Sequence, residues 1–152
     1  MEMPKLTPSH KKLQRLVGNW AGEEKLNPSP WDPKGGTAVG KVNNRPGLDG
    51  FIVTQEYEQL RDGAPNFKGF GIFSYDANRE CFVLHWADSM GSPVGEFTGS
   101  SENNVFTLTN HGAMGHNRAV FDFSKDNQYY FKMEISQDGK SWYTFMEGKY
   151  TK

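Results

Sequence analysis

From Gly18 onward the sequence is a succession of short runs in which apolar and polar residues alternate, cut at close intervals by turn residues, and few folds accept that pattern. Period-two alternation belongs to half-buried strands. Turns spaced this closely make successive strands antiparallel neighbours. The clearest pair lies near the C-terminus, where Tyr129 to Ile135 and Trp142 to Tyr150 flank Asp138-Gly139. Asp-Gly between two alternating runs favours a two-residue type I′ turn. Such a turn places Ile135 opposite Trp142, Met133 opposite Thr144 and Phe131 opposite Met146, all on one apolar face. A loop of Lys125-Asp126-Asn127 carries the register back one strand, with Phe121 opposite Phe131 and Phe123 opposite Tyr129. Arg118 then faces Glu134 on the outer side, a cross-strand ion pair.

The remaining runs follow the same logic. Thr37 to Val42 reads as a strand, followed by a turn over Asn43 to Asp49-Gly50. Phe51, Val53, Gln55 and Tyr57 alternate with Thr54, Glu56 and Glu58, and Asp62-Gly63-Ala64-Pro65 turns the chain again. Phe67 to Tyr75 and Cys81 to Asp88 form a hairpin around Asp76-Ala77-Asn78-Arg79, with Phe73 opposite Phe82, Gly71 opposite Leu84 and Gly69 opposite Trp86. A glycine beneath a tryptophan lets the indole lie across the backbone. Further runs begin at Ser92-Pro93 and, after a turn over Ser100 to Asn104, at Val105. His111 to His116 is a glycine-containing connection, and Arg118 to Phe123 is the strand before the last hairpin.

About ten such strands in an antiparallel meander are better closed than open, because closure removes unpaired edges. A barrel of more than about eight strands encloses more space than side chains usually fill. The expected fold is therefore an all-β, antiparallel meander closed into a β-barrel with an internal cavity, spanning 1–152 as one domain. A strand edge left unpaired would instead offer a route to a homodimer.

Ahead of the strands, Thr7-Pro8-Ser9 suits a helix start. Leu13, Leu16 and Val17 form one apolar stripe at helical spacing, and Gly18 ends the helix. Trp20 then sits between glycines at the head of the first strand. Asn27-Pro28-Ser29-Pro30-Trp31-Asp32-Pro33-Lys34-Gly35-Gly36 is a loop, expected at one mouth of the barrel with Trp31 as its apolar side chain.

Composition narrows the function. A net charge of -1 gives no electrostatic footprint for nucleic acid, and no basic run marks a membrane surface. The single cysteine, Cys81, excludes an internal disulfide framework and fits a reducing compartment. No apolar run resembles a signal peptide or a membrane span, so a cytoplasmic location is expected.

The interior-facing residues supply the candidate site. Phe73, Trp86, Phe121, Phe131, Met133 and Met146 would line the cavity, with Asp88 and Met90 at its mouth beside Ser89. A ligand burying roughly 300 Å² of apolar surface gains about 7 kcal/mol, whereas association costs about 4–15 kcal/mol. Apolar burial alone therefore binds weakly, and polar anchors are needed. Gln55, Tyr57, Asp88 and Thr144 are the candidates. The partner expected is a small, largely apolar molecule, with no cofactor and no metal.

Catalytic alternatives are weaker. His85, Asp88 and Ser89 are close in sequence, but His85 and Asp88 fall on opposite strand faces, and a triad needs converging groups. An isomerase or hydrolase at the mouth would need Asp88 paired with a histidine. A haem-binding barrel would use His85, His111 or His116 as an axial ligand. Gly69-Phe70-Gly71 lacks the third glycine and the strand-to-helix setting of a dinucleotide site. Cys81 has no flanking base.

Leu16-Val17-Gly18-Asn19-Trp20-Ala21-Gly22-Glu23, Gly69 to Asp76, Trp86-Ala87-Asp88-Ser89-Met90-Gly91 and Met146-Glu147-Gly148-Lys149-Tyr150 together resemble, in order and spacing, the bacterial domain-of-unknown-function family DUF1579. The short helix followed by Gly-x-Trp also resembles the calycin and lipocalin barrels. The resemblance implies a calycin/lipocalin-like β-barrel of about ten strands with a short N-terminal helix, with Trp20 plugging its closed end. It implies no activity. Fatty-acid-binding proteins, lipocalins and nitrobindin-like haem proteins share the architecture, and their functions carry over as analogy only.

Overall fold

The computed structural model describes residues 2–112 and 115–152. Thr7 caps α1 (Pro8–Leu13), and its hydroxyl accepts from the His10 backbone N–H at 3.3 Å. His10 Nδ1 in turn accepts from the Thr7 N–H at 3.1 Å. This is a reciprocal capping box with histidine in the position usually held by Glu or Gln. The His10 ring is thereby turned inward, edge-on to Phe51 and Tyr75. A 3₁₀ turn (Gln14–Leu16) completes the segment, and Leu13 and Leu16 are fully buried against the end of the barrel.

Ten strands follow: β1 (Gly18–Leu26), β2 (Gly36–Gly47), β3 (Ile52–Arg61), β4 (Ala64–Asp76), β5 (Cys81–Asp88), β6 (Gly95–Glu102), β7 (Val105–Gly112), β8 (Gly115–Asp122), β9 (Gln128–Ser136) and β10 (Tyr143–Thr151). Each pairs antiparallel with the next, and β1 pairs with β10 from Ala21↔Thr151 to Leu26↔Met146, closing the barrel. No strand is left unpaired among the described residues, so the edge-to-edge dimer anticipated from the sequence loses its basis.

Several strands run further than their alternation shows. β2 continues through Pro46 to Gly47, where a turn was expected, because beyond Asn44 it has lost β1 as a partner and pairs only with β3. A proline is tolerated where one side of the strand is free. β6 extends to Glu102, and the turn contracts to Asn103-Asn104, both at positive φ. The connection expected over His111 to His116 is instead a hairpin in which these two residues are strand partners. Ala113 and Met114 lie outside the described residues.

Two hairpin registers also differ. The β4–β5 loop is Ala77 to Glu80, so Phe73 faces Leu84, Gly71 faces Trp86 and Gly69 faces Asp88. Asp76 stays in the strand while its carboxylate accepts from the N–H groups of Asn78 and Arg79, at 2.9 and 3.1 Å. The shift is two residues, so no side chain changes face. The indole of Trp86 leans back over Gly69, where a Cβ would come within 2.2 Å of its ring.

In the last hairpin, Asp138 caps a wider loop by accepting from the N–H groups of Lys140 and Ser141 instead of forming a two-residue turn. Tyr143 then faces Ile135 and Thr144 faces Glu134. A bulge follows, after which Met146 faces Met133 and Gly148 faces Phe131. Trp142 leaves the sheet and lies over Arg118, whose guanidinium is 4.0 Å from the ring centroid. Arg118 pairs with Glu134 at 2.9 Å on the outer wall, as its register requires.

One end of the barrel is shut. Trp20 Nε1 and Asn44 Nδ2 both donate to the Leu16 carbonyl, at 2.9 and 2.8 Å. Trp20 meets Phe123 and Tyr129 edge-on, with Val53, Phe73, Phe82 and Phe106 filling the space beneath α1.

Candidate functional site

The alternation that buries Trp20 also turns Gly22 and Glu24 inward. Glu24 is fully buried in the barrel wall. The Tyr57 hydroxyl donates to its carboxylate at 2.6 and 2.8 Å, Gln59 Nε2 donates at 3.0 Å, and the Tyr150 hydroxyl donates to Oε2. Asn66 Nδ2 holds Gln59 through its Oε1 at 2.6 Å. None of the ion pairs among the described residues reaches Glu24. Two glycines make the room: a Cβ on Gly40 would sit 2.3 Å from Glu24 Oε2, and one on Gly148 would sit 2.6 Å from the Tyr150 oxygen. Burial, and then the negative charge of Glu24, push the phenols of Tyr57 and Tyr150 well above the ordinary tyrosine range. Burial does the same to Tyr129, which stacks on Tyr150.

Tyr57 and Tyr150 form one wall of a cavity of about 240 Å³. Opposite them stand Leu84, Trp86 and Phe97, and the remaining surface comes from Ala119, Phe121, Phe131, Met133, Phe145 and Met146. Gln55 reaches this cavity while only 6% exposed. Its amide makes no side-chain hydrogen bond among the described residues and is not sealed away: the unpartnered polar side-chain atoms cut off from solvent there are Arg15 Nε and Asn44 Oδ1, so the Gln55 amide opens onto the cavity. On the β5 side, Asp88 Oδ2 accepts from Trp86 Nε1 at 2.9 Å and Oδ1 accepts from the Met90 N–H at 3.0 Å. Asp88 thus fixes the indole and also caps the turn.

The cavity leads towards a second hollow of about 390 Å³ at the mouth, and the two share Tyr57, Phe67, Phe145 and Met146. The loop after β1 covers this mouth. Asn27 is tied to the Phe145 and Thr144 carbonyls, Tyr143 donates to the Pro28 carbonyl, and Arg61 grips Asp32 at 2.9 Å. Trp31 packs edge-on against Phe145 while more than half exposed, as expected of a mouth residue. A larger hollow, of about 730 Å³, opens on the outer wall among Lys41, Glu56, Glu58 and Lys68, and Val42 and Tyr57 border both it and the internal cavity.

Of the residues anticipated for binding, Gln55, Tyr57, Trp86, Asp88, Phe121, Phe131, Met133 and Met146 line the cavity, and Met90 lines the outer mouth. Two do not. Phe73 is buried beneath the cavity, edge-on to Phe121 at 5.6 Å. Thr144 lies off the wall, because the wider loop sets it opposite Glu134 on the outer face, and the bulge after it brings Phe145 and Met146 to the cavity. Glu24, Gln59, Tyr150 and Phe145 were not anticipated. Trp20-x-Gly22-x-Glu24 contained the signal for Glu24, since period two puts it on the tryptophan's face.

None of the four histidines lines the cavity. His10 supports α1, and His85 points outward to Glu96 at 3.3 Å. His111 and His116 touch each other through Nδ1 at an exposed hairpin end. A histidine partner for Asp88, or a histidine axial ligand inside the barrel, is therefore absent from the described cavity. No cluster of three or more metal-ligating side chains occurs among the described residues. No helix is long and apolar enough to cross a membrane.

Two solved structures share the architecture. Rv2717c from M. tuberculosis superposes with a TM-score of 0.68 at 16% identity, covering 97% of this chain and 99% of that one. The S-type phycobiliprotein lyase CPES from Guillardia theta superposes with a TM-score of 0.61 at 12% identity, covering 95% and 91%. At these identities the likeness is one of fold. No curated sequence relative matches the chain. The model of the family described as "Protein of unknown function (DUF1579)" matches residues 5–152, nearly the whole barrel with its helix, and the chain belongs to that family.

Proposed function

We propose that the protein is a binding barrel for a small, largely apolar molecule, held in the interior between the β3/β10 wall and the β5 wall. The observation that carries this reading is Gln55. An amide whose one opening is the cavity, set in a lining that is mostly apolar, has the character of an anchor that awaits a ligand. Trp86, Phe121, Phe131, Met133 and Met146 would enclose the apolar body. Tyr57, Gln55 and Asp88 would set its orientation. A phycobiliprotein lyase is built on a similar fold. Burial of this size alone binds weakly, so the polar groups decide affinity.

Native mass spectrometry of the freshly purified protein tests the reading. A stoichiometric small molecule, released on denaturation, is the expected result. A clean protein mass, together with no fluorescence gain from a neutral apolar probe such as N-phenylnaphthylamine, would overturn it.

A further inference from the structure

Tyr57, Tyr150 and Asp88, the polar groups held by hydrogen bonds along the cavity wall, present acceptors, whereas the Gln55 amide can both donate and accept. Glu24 receives donors on both oxygens: Tyr57 on each, Gln59 on Oε1 and Tyr150 on Oε2. Three side chains thus converge on one buried carboxyl group. With their O–H groups engaged in hydrogen bonds to Glu24, and Tyr57 also accepting from Gln59 at 3.2 Å, the two phenols have only remaining lone pairs to offer the cavity. Asp88 is likewise committed to accepting from Trp86 and Met90.

The charges point the same way. Asp88 lines the cavity and Glu24 lies directly behind its tyrosine wall, while no Lys, Arg or His lines it among the described residues. Arg118 is on the outer wall with Glu134 and Trp142. Arg61 is at the mouth, tied to Asp32. Acidic side chains beside a low-dielectric cavity that no basic side chain lines favour a cation and disfavour an anion. The rings of Tyr57, Trp86 and Phe131 add faces that attract organic ammonium groups.

We propose that the cavity selects an organic amine, an apolar or aromatic body bearing a cationic N–H group, over the corresponding carboxylate. The ammonium would sit between Gln55, Tyr57 and Asp88. This rests on the binding-barrel reading above and adds the chemical class of the ligand.

A matched series separates the two. Phenylbutylamine, phenylbutanol and phenylbutanoate share one apolar body and differ in the head group, and each is titrated while the Trp86 indole N–H resonance is followed by heteronuclear NMR. The expected result is an amine at least about tenfold tighter than the carboxylate, with the alcohol between them. A carboxylate that binds as tightly as the amine, or within about threefold of it, overturns the charge preference and leaves the cavity reading intact. No response to any of the three overturns both. In Glu24→Gln, checked for folding by near-ultraviolet circular dichroism, the amine should weaken by about tenfold and the alcohol by less than about twofold. Should that variant not fold, the wild-type series decides alone.

Discussion

Gly40 belongs to the carboxylate cluster as much as Glu24 does, since the space above it is where the carboxylate lies. Gly40→Ala would drive a methyl group to 2.3 Å from Glu24 Oε2 and 2.9 Å from the Tyr150 ring. Overpacking of this kind costs about 1–3 kcal/mol, a fall in Tm of several degrees for a chain of this size. Gly95→Ala is the control, because its methyl would meet nothing closer than 3.8 Å and should leave Tm nearly unchanged. The tyrosines give a second prediction. Tyr57, Tyr129 and Tyr150 keep their protons in the fold above the pH at which unfolded tyrosine ionises, 10.0. Their contribution to stability is therefore complete below pH 10 and is lost as pH rises beyond it, at up to about 1.4 kcal/mol per pH unit for each phenol. Urea midpoints should hold up to pH 10 and then fall steeply, with ultraviolet titration showing three phenols that ionise only on unfolding. At this scale the sequence was partly legible. Gln55, Tyr57, Trp86 and Asp88 declared themselves through alternation and chemistry. Glu24 did not, because a charged residue in an alternating run reads as solvent-facing unless its parity is traced to a known interior neighbour.

Between elements, turn chemistry decides what alternation cannot. Both displaced hairpins have an aspartate whose carboxylate caps the loop, Asp76 before β5 and Asp138 before β10, and each moves the point from which pairing is counted. In β4–β5 the displacement is even and every face survives, which is why the glycine–tryptophan relation held although the partners changed. In β9–β10 the wider loop displaces the register by one residue and so turns Thr144 outward opposite Glu134, and the bulge that follows restores the faces. A bulge is a property of two strands together and leaves no mark in either run alone. Gly69→Ala tests the glycine–tryptophan relation. A methyl group within 2.2 Å of the Trp86 ring must displace the indole and break its bond to Asp88. The expected signs are altered tryptophan emission and a lower Tm, with the β4–β5 pairing retained in hydrogen exchange.

For the molecule as a whole, closure depends on the two strands furthest apart in sequence. β1 and β10 share six paired positions, and β10 also completes the bond between the Tyr150 hydroxyl and Glu24. Truncation after Thr144 would open both seams and leave Glu24 without one of its phenols. The prediction is loss of the cooperative urea transition, since the exposed edges of β1 and β9 have no other partner. That closure was legible, because about ten antiparallel strands have no comfortable open form. The mouth was legible only as a loop, and its fastening has a kinetic meaning. The Arg61–Asp32 pair and the Asn27 and Tyr143 bonds hold the flap carrying Trp31 across the route to the interior. The Arg61 contacts, to Asp32 and to the Gly35 carbonyl, involve no residue that lines the inner cavity. Loosening them with Arg61→Ala should raise the entry and exit rates of any guest together and leave Kd unchanged, so that residence time and affinity are set by separate parts of the chain.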